Sequence, residues 1–475
     1  MTSLSTETSP QSAGWRLGMG TLLQGLNSSM IAVALTDIST DFNDNTAAPW
    51  LISALYFTAA VSSPAFGHLS DLYGAKKLYR IGLLITLIAS LLGPLSPNIW
   101  SLVAARALIG IGTAAQIPTA ITIVVAVARM QHSSSSTAVG IISMLGQVSA
   151  AIGPALGGFI VTTLGWQWIF WINIPLVCNA YLWTRSVPET QSKRNAEVQD
   201  FPSAKQERTQ GSGRRLTEIE IIDVPGIMLF CLSLIALLYA LLGTATPRII
   251  CGLILAGAGF LWFYWHELHA THPFMDFLFL RSNPVVLYIY LRTIIVNVAF
   301  YLVFYGIPQW AGQSGGMDAM RSGFVLLPNF IAGVITTRFA ASRAGSWQPR
   351  TMRTVGCSLL ILSAALSTLA FMTKQTLLLY AATFLLGLPS GFNNMGNQLE
   401  LNRRVRPEDL GQATGLFRTS QFIGAAISTP IAFHALHSAL VPIDSILILM
   451  IAIIGIGLLT FIVDSIYRFR IHPME

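Results

Sequence analysis

An all-α, polytopic membrane fold with fourteen transmembrane helices is what this sequence predicts, and three observations predict it. Apolar stretches of span length recur fourteen times between breaker residues. Hydrophobic residues make up 53% of the 475-residue chain and charged residues only 10%, too little polar surface to coat a water-soluble globule. Mean hydropathy is +0.61, and polar and apolar residues do not alternate as in strands. Helices of about 20 apolar residues, rather than a β-barrel, then satisfy the backbone in hydrocarbon.

Taken in order, hydropathy and breaker residues place spans at 15–37, 48–67, 78–96, 99–127, 137–163 and 166–186. The first carries Gln24, Asn27 and Ser28, the second Tyr56, and the fourth Arg106 and Gln116. In the fifth, glycines four or five residues apart, Gly153, Gly157 and Gly158, let a neighbouring helix approach, and Pro154 removes a backbone hydrogen bond and permits a bend. Residues 187–223, rich in Ser, Gln, Lys, Glu and Gly, read as a linker. Spans at 224–243 and 247–266 follow, then six more at 284–308, 321–341, 351–372, 375–398, 411–437 and 441–466.

The ninth span carries Arg292, and its Asn297, Tyr301 and Tyr305 form an i, i+4, i+8 row on one face. Asn393, Asn394 and Asn397 cluster in the twelfth, and Arg418 and Gln421 lie in the thirteenth. The chain divides into a tail (1–14), a six-helix bundle (15–186), the linker (187–223), two additional helices (224–266), a second six-helix bundle (267–466) and a tail (467–475).

An even number of spans puts both termini on one side. Assigning that side to the cytoplasm gathers most of the 28 Lys and Arg residues there, including Lys76, Lys77, Arg343, Arg350, Arg403, Arg404 and Arg406. Positive loops resist translocation, so the net charge of +7 reports topology. The linker balances basic against acidic residues and offers no basic patch for nucleic acid. Cys178, Cys231, Cys251 and Cys357 all lie in or at apolar segments, which suggests neither disulfides nor a metal site. Residues 1–14 lack the pattern of a removable signal peptide. An enzyme is not expected: no phosphate-cradling Gly-rich lysine loop is present, and His266, His269 and His272 drift around a helix instead of converging on a metal. No cofactor is implied.

The turn between the second and third spans reads Gly67-x3-Asp71-x2-Gly74-x-Lys76-Lys77, span 4 holds Arg106-x3-Gly110-x-Gly112, and span 5 holds Gly140-x8-Ser149-x3-Gly153-Pro154-x2-Gly157-Gly158. Together with Gly165-Trp166-Gln167-Trp168 and Asp223-Val-Pro225-Gly226, these resemble the major facilitator superfamily, specifically its fourteen-span branch of drug:proton antiporters. The likeness covers nearly the whole chain. It implies two pseudo-symmetric bundles rocking about a central cavity, a multi-pass protein of the plasma membrane (a bacterial inner membrane), a monomer, and proton-coupled efflux of small amphipathic compounds or drugs. It also implies that Gly67, Asp71, Gly74, Lys76, Lys77 and Arg106 serve gating and coupling, and that Gly140, Gly153, Pro154, Gly157 and Gly158 form an antiporter-like hinge. This chain departs from the pattern at Leu72 and Ala75, where basic residues are usual, and at Ser149, where a Gly is usual.

Drug-exporting members of the family often carry an Asp in span 1, where this sequence has Asn27, and an amide cannot titrate. All 21 acidic residues read as loop or span-end residues, with Asp37, Asp71, Asp223, Glu400 and Asp464 nearest the membrane. A mid-span carboxylate would cost about 2.5–3.5 kcal/mol to insert and would have marked a cation site. The span arginines, Arg106, Arg292 and Arg418, prefer carboxylate, phosphate or carbonyl partners. They leave open a second reading, a facilitator or importer of an anionic solute; a non-transport receptor is the third. Gln24, Asn27, Ser28, Tyr56, Gln116, Arg292, Asn297, Tyr301, Tyr305, Asn393, Asn394, Asn397, Arg418 and Gln421 are the expected substrate-binding set, each also able to serve as an interhelical hydrogen bond.

Overall fold

A computed structural model of the chain describes residues 9–471 apart from 45–46, 134–135, 188–222, 244, 271–272, 274, 276, 314–315, 344–345, 374, 406–409 and 438–444. The linker expected at 187–223 therefore falls outside the described residues except at its two ends. The described residues are helical, without strands.

The first group comprises α1 (Pro10–Phe42), α2 (Ala48–Tyr73), α3 (Ala75–Leu92), α4 (Ile99–Ala114), α5 (Gln116–Met130), α6 (Ser136–Leu164), α7 (Trp168–Trp171) and α8 (Asn173–Trp183). Beyond the linker come α9 (Val224–Leu241), α10 (Thr246–His269) and the short α11 (Phe277–Ser282). The last group is α12 (Pro284–Gln313), α13 (Ala319–Ser342), α14 (Pro349–Thr373), α15 (Thr376–Arg404), α16 (Leu410–His437) and α17 (Ser445–Ile471).

Local chemistry sets the ends. Gly74 sits at φ 92°, a left-handed conformation that L side chains rarely adopt, and so turns α2 directly into α3. Asn98 caps α4 in a capping box, its Oδ1 accepting from the Ser101 amide at 2.9 Å. Asp223 and Asp318 cap α9 and α13 in the same way.

Ten helical stretches among the described residues are long and apolar enough to cross a membrane. α1, α15 and α16, with 33, 29 and 28 residues, are as long but are not among those ten. These three helices carry much of the polar cavity lining described below.

The neighbour pattern repeats between the two ends of the chain. α1 packs on α6, α2 and α3 on α4, and α8 on α1 and α3; correspondingly α12 packs on α16, α13 and α14 on α15, and α17 on α12 and α14. The two groups meet along two seams of swapped partners, α6 against α13 and α2 against α16. α9 and α10 pair with each other beside the α2–α16 seam, where Phe230, Leu234 and Phe263 cover Phe57 and Val61. Their far side is apolar yet open, with Leu261 72% and Trp262 62% exposed. Such a surface suits lipid, which solvates apolar side chains as well as a protein core does.

Candidate functional site

A cavity of about 280 Å³ lies between the two groups of helices. α1 contributes Gln24 and Ser28, α2 contributes Tyr56, and α12 contributes Asn297 and Tyr301. α15 adds Asn394 and Asn397, and α16 adds Arg418 and Gln421. These nine residues come from the set expected from sequence, and the fold brings them together.

Aromatic packing joins the groups at the cavity wall. The Tyr56 ring meets Tyr301 edge-on at 5.1 Å and lies 6.1 Å from Phe422, while Tyr301 stacks on Tyr305 at 5.7 Å. Edge and offset geometries of this kind add about 0.5–1.5 kcal/mol per pair beyond area burial. Arg106 sits behind Tyr56 and Tyr305, 1% exposed, its Nε donating to the Leu51 carbonyl at 3.1 Å. Its Nη2 has no hydrogen-bond partner among the described residues. A guanidinium thus faces one tyrosine from each side of the interface.

Five residues expected to bind substrate do not line the cavity. Asn27 exchanges two 2.9 Å hydrogen bonds with Asn173, whose Nδ2 also reaches Ser90 Oγ, locking α1, α3 and α8 together. Gln116 donates to the Gly112 and Tyr79 carbonyls and ties α5 to α3 and α4. Tyr305, 0% exposed, lies behind Tyr301.

Arg292, 2% exposed, is consumed by a network. Its Nε donates to Asp464 Oδ1 at 2.9 Å and Oδ2 at 3.2 Å, Nη1 to Asn397 Oδ1 at 2.6 Å, and Nη2 to Asn393 Oδ1 at 2.8 Å. Asn393 therefore faces Arg292, whereas Asn397 touches both Arg292 and the cavity. Asp464, read from sequence as a span-end residue, is drawn inside, with 11% of its side chain exposed. The signal for that pair is an Arg and an Asp in apolar segments, but nothing in the sequence says that they meet. Sequence reasoning also missed Asn329, a cavity-lining amide 2% exposed whose Nδ2 has no partner among the described residues. A single amide beside Pro328 inside an apolar span was the available signal.

On α6 the small residues are seated. A Cβ at Gly157 would lie 2.8 Å from Met30 Cα of α1, and one at Gly158 would press into the Ala319 carbonyl and lie 2.8 Å from Met320 Cα of α13. Gly323 faces the Pro154 carbonyl in return, and Gly153 faces Ser29. Ser149, standing where the family pattern has Gly, is accommodated by Gly25 of α1. Toward the other end of α6, Gly140 and Gly146 have no neighbour within 4 Å of an added Cβ.

At the α2–α3 turn, Lys76 donates to the Val187 carbonyl and Arg80 Nε to Thr184 Oγ1 at 3.0 Å, so the basic residues hold the end of α8. Lys77 is exposed, 6.0 Å from the Tyr73 ring centroid, and Gly67 has open space around it. The Asp71 side chain lies outside what the structure describes. Of the histidines, His266 Nε2 pairs with Asp223 Oδ1 at 2.6 Å, and His434 Nε2 meets the Leu241 carbonyl at the end of α9. No cluster suited to a metal occurs among the described residues.

Comparison with known proteins fits this geometry. The family model of the Major Facilitator Superfamily matches residues 17–429. The uncharacterized MFS-type transporter YwoD of Bacillus subtilis is 29% identical over 87% of each chain. The multidrug efflux pump SdrM of Staphylococcus aureus is 24% identical over 92% of this chain and 93% of its own. The crystal structure of the POT family transporter PepTSo superposes with a TM-score of 0.67 at 13% identity, covering 98% of both chains, and shows the shared fold. The chain belongs to the Major Facilitator Superfamily and is a multi-pass membrane transporter rather than an enzyme.

Proposed function

We propose that the protein is a proton-coupled exporter of small amphipathic compounds working by alternating access in the plasma membrane. It crosses the membrane fourteen times, as two six-helix bundles (15–186 and 267–466) joined by the linker 187–223 and the helix pair 224–266. The observation that carries this reading is the asymmetry along α6. Its Gly153–Gly158 end is pressed onto α13, Gly158 against Ala319 and Gly323 against Pro154, while farther along the seam Ile142 and Gly146 of α6 and Gly333 and Thr337 of α13 line the cavity, as expected of an interface sealed at one end and parted at the other. Repacking one interface while releasing the other is the rigid-body motion that exposes a midplane site to each side in turn. The efflux names of relatives such as SdrM support the direction.

In this reading Gly67, Asp71, Gly74, Lys76 and Lys77 form the cytoplasmic gate. Gly140, Gly153, Pro154, Gly157 and Gly158 form the hinge. Arg106 couples the halves through Tyr56 and Tyr305, and the cavity residues around Asn297 and Tyr301 hold the compound. The protein acts as a monomer.

Purified protein in liposomes under an imposed pH gradient tests the reading. With no potential across the membrane, efflux of amphipathic dyes should follow the gradient and stop when it is collapsed; flux indifferent to the gradient then rejects proton coupling. Arg106→Ala should abolish flux and Arg106→Lys should restore only part of it, since an ammonium lacks the planar fork that faces two tyrosines at once.

A further inference from the structure

We infer that the cavity is built for aromatic organic anions: a flat apolar body carrying one carboxylate or equivalent acidic group. This rests on the transport reading above and specifies its substrate class. Arg418 is the one charged residue among the described cavity lining; no Asp or Glu contributes to it. Arg418 has no ion pair among the described residues, and its electrostatic neighbour is the Tyr301 hydroxyl. The contrast with Arg292 is direct, because that guanidinium is spent on Asp464, Asn393 and Asn397.

The remaining lining has the same bias. Gln24 Nε2 and Asn329 Nδ2, on side chains 9% and 2% exposed, are buried donors without partners among the described residues, and both residues line the cavity. Gln421 donates to Asn394 Oδ1 at 3.1 Å, which satisfies that acceptor and leaves the Asn394 amide donor over. The fully buried polar atoms of the described lining that lack a partner are thus both N–H donors, and together with the guanidinium they complement an oxyanion, which accepts from all of them. A cation would meet a like charge that no carboxylate of the described lining balances. Tyr56, Phe300, Phe330 and Phe422 supply flat surfaces for a ring.

The test compares three naphthalene probes of matched shape in equilibrium dialysis against the purified full-length protein: 2-naphthoate, neutral 2-naphthamide and the 2-naphthylmethyl trimethylammonium cation. Naphthoate should bind at least tenfold more tightly than the cation, with the amide between. Arg418→Gln should remove that preference, and an unfolding midpoint by tryptophan fluorescence close to that of the unsubstituted protein shows that the variant is folded. Arg418→Lys should retain a weakened preference. Asn329→Leu should weaken naphthoate severalfold. Equal or tighter binding of the cation by the unsubstituted protein, no binding of naphthoate, or an Arg418→Gln variant that keeps the preference would each overturn the inference.

The transport reading fails separately. Dye efflux under a pH gradient without naphthoate binding retains export and removes the anion site. Naphthoate binding and flux that ignore the gradient retain the site and remove proton coupling.

Discussion

Replacing Arg292 by Met should be among the most damaging single changes in the last group of helices, and the reason lies in charge rather than in the number of bonds lost. Met keeps an unbranched apolar stem but removes the donors to Asn397, Asn393 and Cys357, which lie at 2.6, 2.8 and 3.2 Å. Interhelical hydrogen bonds in membrane proteins average ~0.6 kcal/mol, so these three account for about 2 kcal/mol together. The larger effect is on Asp464, 11% exposed and bridged by Arg292 Nε through both carboxylate oxygens. Stranding one member of a buried ion pair costs about 3–5 kcal/mol. Asp464→Asn strands the more deeply buried guanidinium in turn, although an amide oxygen still accepts from Nε and the bonds to Asn393 and Asn397 remain. The double variant Arg292→Met/Asp464→Asn should recover much of the loss, since neither charge is then left buried. Thermal unfolding of detergent-solubilised protein, followed by tryptophan fluorescence for the four-member cycle, measures this. A wild-type midpoint in Arg292→Met, or losses that simply add in the double variant, would show that the pair is not a mutually compensating buried unit.

Other expectations rest on separate contacts. Gly158→Ala drives a methyl into the Ala319 carbonyl, a backbone atom that cannot swing away, so the α6–α13 seam should loosen by about 1–3 kcal/mol and flux should fall; unfolding and dye efflux on one preparation check it. Asn27→Asp breaks the reciprocal amide pair with Asn173 and should lower stability by about 1–3 kcal/mol without creating a cavity acid; unchanged thermal stability would contradict the pairing. Burial opposes ionisation of Asp223, but its hydrogen bonds with His266 and the Gly226 amide outweigh it and hold the carboxyl below its ordinary 3.8. A depressed folded value means that the contribution is present above pH 3.8 and is lost as pH falls through the lower folded value. Hydrogen exchange at the start of α9 should accelerate over that acid range in the wild type and lose this dependence in Asp223→Asn.

What the sequence made legible was whatever local composition carries. Apolar runs, the turn at Gly74 and the Gly-Pro pattern of α6 are contiguous, and they fall on helices or on the turn between two of them. Facing was not legible. α1 is buried almost continuously from Leu23 to Leu35, so no polar stripe distinguishes Ser28, which faces the cavity, from Asn27, one residue and about 100° away, which faces α8. The row Asn297, Tyr301, Tyr305 drifts by about 80° over its eight residues, enough to put the last ring behind the wall. Asn393 and Asn394 part company for the same reason, one toward Arg292 and the other toward the cavity. Partners such as Arg292 and Asp464, 172 residues apart, are set by how helices dock and not by any spacing.

The charge of the cavity also bears on why span 1 holds an amide. Exchanging one inward proton for one outward monocation moves no net charge, so only the pH gradient drives it. Exchanging one inward proton for one outward monoanion moves two charges per cycle, and at ~2.3 kcal/mol per charge per 100 mV an inside-negative 100 mV adds about 4.6 kcal/mol of drive, more than three decades in concentration ratio. In vesicles with the pH gradient collapsed and a potassium diffusion potential imposed, naphthoate efflux should therefore persist and scale with the potential, and voltage-insensitive flux would refute this. A carboxylate at Asn27 would serve such a cargo poorly, because it would place a negative charge beside the wall that an anion must pass. With Arg418 unpaired and the membrane potential pushing outward, retaining an amide there is the expected chemistry.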